Sequence, residues 1–164
     1  MNRAMVLALV VAAALVQVTW APRFELYGAF PNLVLATVVC VTWLRGARPG
    51  LVWACVGGLL LDLMAPGPLG PHALALVVGA YVVGFWVRNV KQTSLLQPAL
   101  AAAVASVIYS LMLVGADDLL GLPLPPLRIA LDLAIAACLY NSILVAVALL
   151  ALRRFTTRQQ ARTA

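Results

Sequence analysis

Asp62, Asp132, His72 and Asn141 interrupt long apolar runs, and each is a side chain type that takes part in catalysis, metal binding or buried hydrogen bonding. Two facing carboxylates can share a proton for aspartyl hydrolysis, and a buried serine beside a histidine can act as a nucleophile. The local patterns that accompany those chemistries, Gly-x-Gly-Asp and Gly-x-Ser-x-Gly, do not occur. Nor does a phosphate-cradling glycine loop with its lysine, or a His/Cys/Asp cluster at metal-ligand spacing. Cys40, Cys55 and Cys138 sit inside apolar runs without Cys-x-x-Cys spacing, so they read as small apolar fillers rather than disulfide or zinc partners. The expectation is a chain without catalysis, cofactor or metal.

The elements that must position these residues are membrane helices. The chain has 164 residues, 65 % hydrophobic and 10 % charged, with a mean hydropathy of +1.05. A soluble domain is near half apolar and a quarter charged, and disorder demands the opposite composition. One bilayer-spanning helix takes about 20 residues. Six apolar segments can be drawn, approximately over 4–21, 30–44, 50–65, 71–87, 95–114 and 129–152, leaving no room for a soluble domain. The expected fold class is therefore an all-α integral membrane protein of six transmembrane helices, one domain over 1–164 with a basic tail at 153–164. The first segment, with Pro22 after Ala21 and no small-residue cleavage site, is expected to be retained rather than removed as a signal peptide.

The net charge of +6 would suggest nucleic acid in a soluble protein. Here the basic residues lie between apolar runs, where they set topology and meet anionic headgroups, so no nucleic acid is expected. Placing both termini in the cytoplasm puts nine of the eleven Lys and Arg residues inside, among them the anchors Arg45, Arg48, Arg88, Lys91, Arg153 and Arg154. Only Arg23 and Arg128 then fall outside, together with Glu25, Asp117 and Asp118. The longest outer connection is drawn from Gly115 to Arg128, and the tail after Leu152 as an anchor with a frayed end.

Small residues let membrane helices approach closely. In the third segment Gly50, Ala54 and Gly58 recur every four residues, with Gly57 beside them, and the next step along that face is Asp62. Ala130, Ala134, Cys138, Ser142 and Ala146 form a similar line in the sixth, and Ala80 and Gly84 a shorter one in the fourth. These faces suit packing on each other or on a partner's helix. Asp62 has two open readings: an interhelical post or partner contact, or an aspartate satisfied by backbone amides of the following Gly/Pro turn. Asp132 reads as an i,i+4 ion pair with Arg128 at a helix start. Asn141 reads as interhelical glue, with Tyr109 and Gln17 as candidate partners, and His72 as an interfacial residue.

Two stretches carry a resemblance. One is Pro31-Asn32-Leu33-Val34-Leu35. The other runs from Arg48 through Gly57-Gly58-Leu-Leu-Leu-Asp62-Leu63-Met64 to Pro68-Leu69-Gly70-Pro-His-Ala73-Leu74. With Asn141 in the last helix and the basic Arg153-Arg154 tail, the chain resembles the MreD family of bacterial rod shape-determining membrane proteins over nearly its whole length. Pro66 and Pro68 stiffen a turn that is often Ser/Gly-rich in that family. The resemblance implies a non-enzymatic scaffold of the cell-wall elongation complex in the cytoplasmic membrane. Its implied partners are an MreC-like single-span protein and, directly or indirectly, MreB filaments, the glycan polymerase RodA and a class B penicillin-binding transpeptidase, besides membrane lipids. The family also resembles the substrate-binding subunits of energy-coupling-factor vitamin importers, which supplies the alternative function.

Overall fold

The computed structural model describes residues 3–20, 30–90, 94 and 96–163, with side chains described as far as 152. It contains six helices: α1 (Arg3–Thr19), α2 (Leu33–Arg45), α3 (Ala47–Met64), α4 (Pro71–Asn89), α5 (Leu96–Leu119) and α6 (Leu127–Thr163). No strand occurs among the described residues. Four helices, α3 to α6, are long and apolar enough to cross a membrane. The other two, α1 and α2, are shorter apolar helices of 17 and 13 residues. With 13 residues, α2 is about 20 Å long, against a hydrocarbon core of about 30 Å. Its start is set by Asn32, whose side chain accepts the Leu35 N–H as an N-cap.

This short helix is the hub. It packs against each of the other five, and nine of its residues are buried, including Val34, Leu35, Val38, Val39 and Trp43. Around it, α3 lies on α4, α4 on α5 and α5 on α6, while α1 covers α2 and α3. A single residue, Gly46, joins α2 to α3; its φ of +90° is one that L side chains rarely adopt. The reversal is tight enough that a Cβ on Gly50 would strike Thr42 of α2. Further along α3, a Cβ on Gly57 would lie 2.7 Å from Val34 Cγ1, and one on Gly58 would strike the backbone of Ala73 in α4. At the other end of the same antiparallel pair, Gly84 of α4 meets Ala47 of α3. The small-residue face of α3, including the fully buried Ala54, is thus consumed inside the chain rather than left for a partner.

Two helix boundaries also differ from expectation. The α5 helix continues past Gly115 to Leu119, so the connection to α6 shrinks to residues 120–126. It stops in a Schellman arrangement: Gly121, at φ +66°, donates to Asp118 O at 3.0 Å, and Leu122 donates to Asp117 O at 2.9 Å. A glycine inside a helix costs some stability without ending it; a positive φ does end it. At the far end, α6 runs on as helix to Thr163, where fraying was expected. The anchors Arg45 and Arg48 flank the Gly46 turn, and Arg88 lies in the last turn of α4, which returns to that same end. Lys91, Arg23 and Glu25 lie outside the described residues, as do the side chains of Arg153 and Arg154.

Candidate functional site

In a bilayer every backbone polar group must be satisfied within the protein. The first N–H groups of a helix lack intrahelical partners, so a helix that begins in the interior needs acceptors from elsewhere. Two helices here solve that problem with side chains from distant segments, and the two solutions adjoin.

At the start of α2, Asn32 Oδ1 takes the Leu35 N–H at 2.8 Å. Gln17 of α1 takes the Val34 N–H through Oε1 at 3.0 Å, and Asn141 of α6 takes the Asn32 N–H through Oδ1 at 2.9 Å. The Asn141 amide also donates to Ser106 Oγ of α5 at 2.9 Å, and Ser106 donates onward to Ala102 O. All four of these polar side chains are buried. Pro31, half-buried just before the cap, cannot donate a backbone N–H, so one donor fewer needs a partner at this entry.

At the start of α4 the N-cap residue is Gly70, which has no side chain to cap with, followed by Pro71. Asp62, from the end of the α3 stripe, supplies the acceptor. Its Oδ1 accepts from His72 N at 2.9 Å and its Oδ2 from Ala73 N at 3.0 Å. A carboxylate at a helix N-terminus is further favoured by the helix dipole. Of the two open readings for Asp62, the geometry has both oxygens on backbone amides, those of the first turn of α4. His72 then turns its ring to α5: Nδ1 lies 2.7 Å from the Tyr109 hydroxyl, with the rings stacked 6.0 Å apart. The Asn32 side chain lies beside the same hydroxyl, which joins the two helix starts into one polar cluster.

Neither partner suggested for Asn141 bonds it directly. Gln17 and Tyr109 serve neighbouring positions of the cluster, and the partners are Asn32 and Ser106. Ser106 is the residue sequence reasoning missed; its signal is a hydroxyl in the middle of the alanine-rich run of α5, where it needs an acceptor. The expected Arg128–Asp132 pair is absent among the described residues. Asp132 is instead exposed beside Ile129, Ile135, Ala136 and Leu139 on the outer surface of α6. The α6 line packs on α5, with Cys138 Sγ 3.4 Å from Ala103 O and Ser142 Oγ donating to Ala99 O at 3.0 Å. Cys40 is buried, Cys55 exposed and Cys138 between the two. No group of three potential metal ligands occurs among the described residues.

The two stretches that meet in this cluster, the Pro31-Asn32 entry and the Leu61-Asp62-Leu63 to Gly70 region, lie within the match to a family model described as rod shape-determining protein MreD, which covers residues 1–144. The chain belongs to the MreD family. The match reaches Asn141 and stops before the basic tail. No curated protein and no solved structure matches the chain. Membership makes this a protein of rod shape determination, in a family of shape-determining proteins rather than of enzymes. Together with the four long apolar helices it fits a multi-pass membrane protein.

Proposed function

We propose that the protein is a non-enzymatic scaffold of the cell-wall elongation complex, held in the bacterial cytoplasmic membrane with all six helices embedded and both termini in the cytoplasm. Its direct partner is a single-span MreC-like protein with a periplasmic domain. Directly or through it, the scaffold is linked to MreB filaments, RodA and a class B penicillin-binding transpeptidase. The observation that carries the reading is the family match over residues 1–144. The economy of the described chain supports it: helices joined by connections as short as the single residue Gly46, with little mass outside the helices to house chemistry. The commitment of both Asp62 oxygens to backbone N–H groups also supports it, because a carboxylate spent on holding a helix start is a poor general base.

The test is recovery of the tagged protein from native membranes in mild detergent, followed by mass spectrometry of what is retained. A single-span protein with a periplasmic domain, together with wall-synthesis enzymes, is the expected result. Paired ATPases with a large coupling subunit would overturn the scaffold and establish a vitamin-importer subunit instead.

A further inference from the structure

A cavity of about 440 Å³ opens beside the polar cluster, between the ends of α1 and α3 and the facing sides of α5 and α6. Its walls are apolar, formed by Met64, Leu113, Val114, Leu133, Ala134 and Ala137. Pro125, in the α5–α6 connection, lies at its mouth, and Tyr109 sits one turn deeper than Leu113. From Ala130 to Ala137 the α6 wall descends about 10 Å. This volume is within the range of small-molecule sites, about 300–1,000 Å³, and so is the plan of apolar walls with a few convergent polar groups.

The chemistry of the floor specifies more. Gln17 and Asn32 line the cavity and are each only 7 % exposed. Both have already committed the amide oxygen, to Val34 N and Leu35 N. What Gln17 retains is its NH₂ group, a pure donor, whereas the Asn32 side chain already lies against the Tyr109 hydroxyl. His72 has Nδ1 engaged with Tyr109, leaving Nε2 as its other ring nitrogen. The Gln17 NH₂ group is therefore a donor at the cavity that no hydrogen bond among the described residues uses. No Lys or Arg lines the cavity among the described residues, and the Asp62 carboxylate, bonded to the cavity-lining His72, disfavours an anion there. A bare alkyl chain would leave the Gln17 donor unpaired.

We propose that this cavity binds the carbonyl end of an uncharged, apolar membrane molecule, the carbonyl oxygen accepting from Gln17 Nε2 and the apolar body lying along α5 and α6. Ester lipids and quinones share this chemistry. The site is independent of which protein partner the scaffold holds.

The experiment uses the full-length protein in lipid nanodiscs and a long-chain methyl ketone carrying a photoactivatable diazirine. Controls are the same chain ending in a methyl group and the same chain ending in a carboxylate. The expected result is saturable labelling of α5 and α6 peptides by the ketone, with a preference of about tenfold over the methyl-ended chain. Competition by short-chain diacylglycerol would assign an ester lipid, and competition by a decyl-tailed quinone a quinone; either supports the site. Ala134→Trp, which fills the cavity, removes the saturable labelling. Gln17→Glu keeps the oxygen for Val34 N but deletes the donors, and lowers ketone labelling by a similar factor. Equal labelling by ketone and methyl-ended chains, stronger labelling by the carboxylate, or unchanged labelling of Ala134→Trp would overturn the proposal. The first two comparisons use the wild-type protein, so they decide the matter even where a variant folds poorly.

Discussion

Asn141 Oδ1 accepts the backbone N–H of Asn32 at 2.9 Å, joining residues 109 positions apart and tying the last helix to the entry of the central one. The same carboxamide donates to Ser106, so one side chain links α2, α5 and α6. Asn141→Leu removes the acceptor and leaves a buried N–H unpaired, at a cost of about 1–3 kcal/mol. Ser106→Ala leaves the Asn32 N–H satisfied and costs less, about 1 kcal/mol. Unfolding of the purified variants in mild detergent should rank wild type above Ser106→Ala above Asn141→Leu; the reverse order of the two variants would mean that Asn141 acts mainly through α5.

Asp62 stands in for the side chain that Gly70 lacks. Asp62→Asn keeps one oxygen for the first turn of α4, whereas Asp62→Leu strands both the His72 and Ala73 N–H groups. The asparagine variant should lose about 1 kcal/mol and the leucine variant at least about 2 kcal/mol, both still inserting into the membrane. On the scaffold reading, Asp62→Leu also reduces recovery of the MreC-like partner by distorting the α3–α4 pair. Undiminished recovery from Asp62→Leu would separate this cap from partner binding.

Much of this arrangement was legible in the residues. The i,i+4 glycine pattern marks the closest face of α3, because in a helix those positions are stacked one above another. A polar side chain in an apolar run is costly unless it is paired or reaches the surface, which singles out Asp62 and Asn141, both buried, as residues with partners, while Asp132 is exposed. What the sequence did not disclose was which partner. Tyr109, Gln17 and Ser106 are all reachable from Asn141 in principle, and the choice depends on how five helices pack around α2. Helix ends differ where apolarity and helicity part company: Phe30 and Pro31 extend the apolar run of segment two but precede its cap, Asn32, and Gly115 and Asp117 look like a loop yet remain helical until Gly121 takes up a positive φ.

Glycines in this fold fall into sharply different classes. A Cβ at Gly58 meets the Ala73 backbone, which cannot give way as a side chain can, whereas Gly115 has nothing within 4 Å. Gly58→Ala should therefore push α3 from α4 and cost about 1–3 kcal/mol. Gly115→Ala should be neutral or stabilise by up to about 1 kcal/mol through helix propensity. Thermal melts of the two single variants in one detergent check the pair, and equal shifts would contradict the close approach.

The orientation can be read chemically. With both termini inside, Leu120 at the α5–α6 turn faces the periplasm and Arg88 at the end of α4 faces the cytoplasm; both are exposed. In a background with Cys40, Cys55 and Cys138 replaced by alanine, Leu120→Cys should react with a membrane-impermeant maleimide in intact spheroplasts. Arg88→Cys should react only after permeabilisation. The opposite pattern would invert the proposed topology, which rests on the Lys and Arg bias between the two sides.

The outer face of α6 is where a partner helix is expected on the scaffold reading. The α6 helix is the least buried of the four long helices, and its exposed ridge of Ile129, Ile135, Leu139 and Ile143 includes Asp132, a carboxylate without an internal ion pair among the described residues. A charge presented to lipid costs about 2.5–3.5 kcal/mol near the bilayer centre on insertion scales and less toward the interface. A cationic or hydrogen-bonding group on a single-span partner would offset that cost. Asp132→Leu removes nothing the fold uses, so the isolated protein should melt at the wild-type temperature or slightly above. Recovery of the MreC-like partner should fall several-fold, and Asp132→Glu should restore it. A variant that binds the partner normally would move the interface to another helix, whereas one that melts early would show that Asp132 serves the fold itself.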